Sequence, residues 1–343
     1  MTTTVSLESP YLIFLGDCPD LMHAKTGAGI VEWRRDRCAG QMKFDDCPVE
    51  LGIPEMSVTD AVEAGVRTVV LGVAAVGGAI PDTWLPPLVE LASAGINVAS
   101  GMHTKLADIP ELVAAAKNGN SQLIDVRVPP RDIPVGDGRK RSGMRVLTLG
   151  TDCAVGKKYS ALALHRELDR RGINATFRAT GQTGIMIAGE GMPIDAVVAD
   201  FVSGAAEMLS PDNEHNHWDV IEGQGSLLSP SYSAVTLGLL HGSQPDAIVL
   251  CHDASRTRVL DAVGEYPIPE LDEVIDDALR LARRVNPKCF FAGVSVNTSM
   301  LSDFERDTYL SGMQADLALP CVDPIATGMT PVANFMLQVA GED

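Results

Sequence analysis

Residues 144–172 read MRVLTLGTDCAVGKKYSALALHRELDRRG, and three physical signals follow one another along them. The run 144–150 is apolar and branched, as a strand covered on both faces must be. The run 157–172 has the period of an amphipathic helix and stops at Gly172. Between them lies GTDCAVGKK (150–158), where glycines permit a tight turn and residues 151–155 offer successive backbone N–H groups to an anion. A helix opening at that turn aims its unpaired amides and the positive end of its dipole at the same anion. The order strand, loop, helix therefore predicts a phosphate-binding loop, with Gly150, Thr151, Cys153, Ala154, Val155, Gly156, Lys157 and Lys158 as its ligand-binding residues.

The loop departs from the usual pattern in two ways. Five residues rather than four separate Gly150 from Gly156. Lys158 also stands where a Ser or Thr hydroxyl would normally reach a magnesium ion, and a charged lysine cannot ligate one. A second lysine can instead neutralise a second phosphate. The loop is thus suited to holding a polyphosphate and poorly suited to metal-assisted phosphoryl transfer. Asp152, a carboxylate inside an anion loop, must face away, pair with a cation or meet a cationic group of a substrate.

Working outward, residues 144–343 continue as an α/β alternation. NATFRAT (174–180), WDVIEGQG (218–225), DAIVLCHD (246–253) and CFFAGVSVNTS (289–299) read as strands. Helices are expected in IDAVVADFVSGAAEMLS, LDEVIDDALRLARRV and LSDFERDTYLSGM, with an edge strand in DLALPCVDP and a closing helix in VANFMLQVA. Residues 1–128 carry a smaller version: strands in YLIFLG (11–16), TVVLGV (68–73), INVAS (96–100) and QLIDVRV (122–128), with helices in VTDAVEAG, WLPPLVELASAG and ADIPELVAAAKNG. The stretch 129–143, PPRDIPVGDGRKRSG, has no periodicity and reads as a linker whose tip (Arg139, Lys140, Arg141) is basic and exposed. The fold class is α/β: an N-terminal Rossmann-like domain, then a P-loop NTPase-like domain with a mostly parallel sheet.

Composition narrows the function. With 27 Lys+Arg against 45 Asp+Glu the net charge is 27 − 45 = −18, which disfavours nucleic acid and anionic membranes as partners. No apolar run is long enough to span a bilayer, and MTTTVSLESP lacks the pattern of a signal peptide, so a soluble cytoplasmic protein is expected. The seven cysteines form no CxxC pair and the histidines no HExxH, so no metal site is expected; His215 and His217, in PDNEHNHW, read as surface residues. A homo-oligomer is the base expectation for a two-domain chain of this kind.

Ligands of open parallel sheets bind beyond the carboxyl ends of the strands. Arg178 leads RATGQTG (178–184), with Thr180, Gln182 and Thr183 as polar groups; Glu222 ends one strand, Asp253 with His252 another, and Asn297 a third, where its amide suits a base or a cofactor amide. In the N-terminal half, Lys25 lies in the loop HAKTGAG, Gly77 and Gly78 follow a strand, and His103 follows another. The spacing of GDCPDLMHAKTGAG does not give GxGxxG after a strand, so a dinucleotide dehydrogenase is disfavoured.

With those motifs placed, the second half resembles the dethiobiotin synthetase-like branch of P-loop proteins, which reads GTDxxVGKT and EGxGG. Gly150, Thr151, Asp152, Val155, Gly156, Lys157, Glu222, Gly223 and Gly225 match, while Lys158 departs. The whole chain resembles a two-domain P-loop family of the DgcN type, formerly a domain of unknown function. The resemblance rests on GDC (16–18), AKTGAG (24–29), LGVAAVGGAIPDTW (71–84), SGMHTKL (100–106), DVRVPP (125–130), GTDCAVGKK and RATGQTGIMIAGEG (178–191). It implies an acyltransferase that moves acetyl from acetyl-CoA, as co-substrate, to the amine of a small-molecule amino acid, D-glutamate, giving N-acetyl-D-glutamate. For that chemistry Arg178 is the expected carboxylate fork, Asp152 or Glu222 the acceptor of the amine proton, and Gln182 or loop amides the oxyanion donors. Two alternatives stay open: an ATP- and Mg-dependent carboxylate–amine ligase or small-molecule kinase, and a nucleotide-binding regulator without turnover.

Overall fold

A computed structural model of the chain describes residues 4–73, 78–260 and 264–341. The chain forms two compact units, the first made of 1–130 and 181–196, the second of 131–180 and 197–343.

The first unit is built on a parallel sheet in the order β3-β2-β4-β5-β6, comprising β2 (Tyr11–Gly16), β3 (Cys38–Lys43), β4 (Thr68–Leu71), β5 (Asn97–Ser100) and β6 (Leu123–Asp125). Its connections carry α1 (Lys25–Arg34), α2 (Val58–Glu63), α3 (Leu85–Ser93) and α4 (Pro110–Gly119). Strands β2, β4 and β5 are buried at every position, which matches their reading as continuous apolar runs. Two elements of this sheet and its connections were not expected. CAGQMK forms β3 although it lacks a branched run, because pairing with β2 supplies its ladder bonds. KTGAG forms the first turns of α1, not a loop: Gly27 lets the helix touch the sheet, its N–H donating to Gly72 O at 2.7 Å. A Cβ on Gly27 would lie 2.8 Å from the Ile13 side chain.

The stretch 181–196 falls in the first unit, whereas its place after residue 144 assigned it to the second. There α6 (Gln182–Ala188) packs with α1, and β9 (Glu190–Gly191) pairs antiparallel with β1 (Val5–Ser6). Ile185, Met186 and Ile187 of α6 are buried, but local hydropathy does not say in which core.

The second unit has a six-stranded parallel sheet in the order β13-β12-β11-β7-β10-β8. Its strands are β7 (Met144–Gly150), β8 (Ala175–Arg178), β10 (Trp218–Ile221), β11 (Ala247–Asp253), β12 (Phe290–Asn297) and β13 (Cys321–Val322). The helices are α5 (Lys157–Arg170), α7 (Val202–Leu209), α8 (Ser233–Ser243), α9 (Leu271–Ala282), α10 (Asp303–Leu317) and α11 (Thr330–Ala340). Strand β11 is buried throughout and flanked by β7 and β12. Each fully buried Val, Leu or Ile in such a strand contributes about 1.5–3 kcal/mol. The connection from β7 to β8 carries α5, which packs with α11, while the later connections carry α7, α8 and α9, with α8 packing on both α7 and α9. The helix expected from residue 194 to 210 is shorter than its apolar pattern, because α7 occupies only Val202–Leu209.

Most of residues 131–140 are exposed, as expected of a linker, Arg139 and Lys140 included, but Arg141 at the basic tip is not. Arg141 is 5 % exposed, donating through Nε to Ser210 O at 2.6 Å and through Nη2 to Gly242 O at 2.7 Å. Arg139 pairs with Asp212 and Lys140 with Asp246. Buried Arg145 draws the strap in, binding the carbonyls of Arg141, Ser142 and Gly143. Burial, with Arg145 nearby, pulls the Arg141 guanidinium down to about 10. The absence of periodicity marked irregular backbone correctly, but charges in such a segment can still find carbonyls and carboxylates.

Candidate functional site: the anion loop and its strand ends

The connection from β7 to α5 is a left-and-right alternation of backbone hand. Ala154 has φ +55° and Gly156 φ +100°. Alternation of this kind turns consecutive N–H groups toward one concave side, forming an anion nest. Gly156 meets no atom within 4 Å of an added Cβ, so it is the backbone angle that demands glycine. At Gly150 the demand is space: a Cβ there would lie 2.6 Å from Asp152 O and 2.7 Å from Lys157 Nζ. Helix α5 begins with no side-chain cap on its first turn, which leaves the dipole end to a ligand.

Lys157 folds back over the loop and donates from Nζ to Asp152 O at 2.7 Å. It is 8 % exposed, and burial pushes its ammonium below the ordinary lysine range. Lys158 is half-buried, with Nζ 4.6 Å from the centre of the Tyr159 ring. Cys153 is half-buried and Ala154 exposed, while Val155 anchors the loop in the core.

Asp152, 0 % exposed, is fully engaged by protein. Oδ1 accepts the Cys153 N–H at 2.6 Å, and Oδ2 accepts the Leu260 N–H at 2.6 Å and Arg256 Nη1 at 3.0 Å. Arg256 Nη1 also donates to Cys153 O at 2.6 Å. The carboxylate therefore ties the loop to the segment after β11.

Around the loop stand the other strand ends. Thr151 Oγ1 lies 3.0 Å from His252 Nδ1, and the Thr151 N–H donates to Cys251 O at 2.9 Å. Burial lowers His252 below its ordinary range, which keeps the imidazole neutral. Glu222 is 4 % exposed and accepts the Thr180 N–H at 3.0 Å, while the Thr180 hydroxyl donates to Glu222 O at 2.7 Å. Gln224 Nε2 donates to that hydroxyl at 2.9 Å. Gly223 lets β10 close on β7, since a Cβ there would lie 1.7 Å from Thr148 O. Asn297 Nδ2 donates to Asp253 Oδ2 at 2.9 Å. Burial raises the Asp253 carboxyl, but hydrogen bonds from Ser255 and Asn297 outweigh it and the net shift is downward.

Several expected site residues are placed elsewhere. Arg178 meets a protein partner: Nε donates to buried Asp219 at 2.7 Å. Asp219 also accepts from Ser210, whose hydroxyl in turn accepts from Arg145 Nε. His217 is 6 % exposed rather than on the surface, with Nε2 2.9 Å from Thr176 Oγ1 at the start of β10. Gln182 opens α6 in the first unit, where its amide lies between Gly101 O, at 2.5 Å, and Arg127 Nη1, at 3.2 Å. Lys25 starts α1, and exposed His103 donates its backbone N–H to Gly78 O at 2.8 Å; Gly77 lies outside the described residues. Arg256 and the His252 contact with Thr151 were not found by sequence reasoning. Arg256 lies in SRTR, a polar stretch with no periodicity, and its one clue was a position three residues beyond the end of β11.

Among the described residues no group of three or more His, Cys, Asp or Glu side chains is arranged to hold a metal, and no helix is long and apolar enough to cross a membrane. Two family models match the chain: a Rossmann-like domain of unknown function, DUF1611_N, over residues 36–129, and a P-loop domain of unknown function, DUF1611_C, over residues 134–333. A protein of Tritonibacter scottomollicae named D-glutamate N-acetyltransferase is 49 % identical over 333 residues, covering 97 % of this chain and 100 % of the relative. A protein of the same name from a Pseudoalteromonas species is 42 % identical, covering 96 % of this chain and 100 % of the relative. The crystal structure of a DUF1611 family protein from Anabaena variabilis is 33 % identical with a TM-score of 0.81, covering 96 % of this chain and 100 % of that one.

Proposed function

The chain belongs to the DUF1611 family of Rossmann-like plus P-loop proteins, and from that premise we propose that it is a D-glutamate N-acetyltransferase, as its two named relatives are. The reaction joins the carbonyl carbon of acetyl-CoA to the amine nitrogen of D-glutamate. The amine gives up a proton, the C–S bond breaks, and N-acetyl-D-glutamate and free CoA leave. The observation that carries this reading is the anion nest with Lys157 and Lys158 behind it and no hydroxyl in the magnesium position. Coenzyme A carries a diphosphate and a further phosphate, yet its acyl transfer breaks no phosphoryl bond and asks for no metal. The loop amides and the two lysines hold those phosphates.

Asp152 is occupied by three donors, so Glu222 is the proposed acceptor of the amine proton. Loop amides supply the oxyanion donors, and Asn297 faces the cofactor from the end of β12. Arg178 is left out of substrate binding because its Nε is spent on Asp219. The same reading sets the enzyme in the cytoplasm, where acetyl-CoA is made and seven free cysteines stay reduced, and expects a homo-oligomer.

The test mixes purified protein with D-glutamate and acetyl-CoA without added metal and follows free thiol. Thiol release with the D-isomer and not with L-glutamate supports the proposal. Release of ADP when ATP and magnesium are supplied instead would indicate a ligase or kinase.

A further inference from the structure

Asp152 sets an electrostatic problem that the acyl-donor reading does not solve by itself. A carboxylate belongs to the very loop whose backbone turns toward an anion, and it is wholly removed from water. Left alone it would repel any phosphate the nest receives. One side chain answers this. Arg256 reaches from the segment after β11, binds Asp152 Oδ2 at 3.0 Å, and with the same nitrogen donates to Cys153 O at 2.6 Å. The second bond occupies a loop carbonyl, so the partial negative charge of that oxygen is offset by the guanidinium and opposes an anion less. The Leu260 N–H completes the clasp on the same carboxylate oxygen.

We propose that Arg256 is a positioning residue for the anion loop: it neutralises Asp152 and occupies the Cys153 carbonyl, so that loop 151–156 accepts the phosphates of the acyl donor. The pair is a loop-setting device, and Asp152 is its anchor, not a contact for the substrate amine. This inference rests on the proposed binding of coenzyme A at the loop.

The experiment measures calorimetric binding of CoA, and KM for acetyl-CoA and for D-glutamate, on the full chain. Arg256→Gln is expected to weaken CoA binding and raise the acetyl-CoA KM by about tenfold, with the D-glutamate KM held within about twofold. Arg256→Lys, which keeps the charge but not the fork, recovers part of that loss. The decisive variant is Arg256→Gln with Asp152→Asn. Removing the orphaned charge restores CoA affinity to within about threefold of the parent, which a loss of general structure would not do. Failure of the parent protein to bind CoA would overturn the underlying reading instead. A parent that binds CoA while Arg256→Gln binds it equally well overturns the inference. So does a double variant no better than Arg256→Gln, or an Asp152→Asn variant that raises only the D-glutamate KM. Where Arg256→Gln does not fold, Arg256→Lys and Asp152→Asn carry the same two tests.

Discussion

Each unit opens its sheet with a strand, a turn and a helix, and the two turns differ in what their backbone can hold. The turn from β2 to α1 opens at Gly16, whose φ is +55°, and from Asp17 to Ala24 no further residue has a positive φ, so the hand does not alternate along it. Its polar contacts serve the protein: Asp17 accepts Trp84 Nε1–H at 2.7 Å, and Gly27 near the start of α1 gives its N–H to Gly72 O. The turn from β7 to α5 is shorter, reverses hand at Ala154 and Gly156, and leaves α5 without a side-chain cap. Equivalent places in two parallel sheets thus need not be equivalent sites. A phosphate nest requires the alternating backbone, and the dipole of a following helix is not enough.

The largest effect expected from breaking this contrast is at Lys157. Lys157→Met should lower kcat/KM for acetyl-CoA by more than about 100-fold. The same change should leave the thermal midpoint of the ligand-free protein equal or higher. Burial lowers the Lys157 pKa, so the folded state carries a penalised ammonium at neutral pH while the unfolded chain does not. A sharp fall in thermal midpoint would contradict that sign. Next, Glu222→Gln should reduce kcat by about 100-fold with little change in the acetyl-CoA KM, as expected for loss of a proton acceptor.

Glycine swaps test the two turns directly. Gly156→Ala forces a Cβ onto φ +100° and should weaken CoA binding about tenfold while costing about 1–3 kcal/mol of stability. Gly16→Ala, whose Cβ would lie 2.5 Å from Trp84 Nε1, should lower stability without moving the acetyl-CoA KM. Equal effects of the two swaps on that KM would erase the distinction between the two turns. Arg178→Lys should lower the thermal midpoint by an amount worth about 1–2 kcal/mol, because Asp219 keeps a charge nearby but loses the Nε–H donor. The D-glutamate KM should not rise; a strong rise would return Arg178 to the substrate.

The smallest effect is on pH dependence. His252 is lowered by burial and then by Arg256, against Asp253. Its folded form stays neutral while the unfolded chain takes up a proton near pH 6.5, so this stability is present above about 6.5 and is lost as pH falls through that value. Denaturant melts of the parent and His252→Gln at pH 7.5 and 5.5 should differ more at the higher pH, by about 1 kcal/mol or less.

How legible the molecule was depends on the range of the interaction. The loop at 150–158 could be read because its strand, glycines and helix are neighbours in sequence. The strands β2, β4, β7, β11 and β12 could be read because burial of nearly every position leaves a mostly apolar run. β3 could not, since its stability comes from pairing with β2. Arg178, Gln182 and Arg141 looked available as polar residues in polar stretches, and each met a partner distant in sequence: Asp219, Gly101 and Ser210.

The amino-acid order by itself therefore determined two parallel α/β sheets, the acidic surface charge, the phosphate loop and the missing magnesium hydroxyl at Lys158. Those properties follow from side-chain type and from spacings of a few residues. Tertiary structure alone decided that α6 joins the first unit, that the linker is pinned by Arg141 and Arg145, and that Asp152 faces Arg256. A charge declares its presence in sequence, but its partner is chosen by folding, because the cost of burying it is relieved only by whatever group the backbone brings within hydrogen-bonding distance.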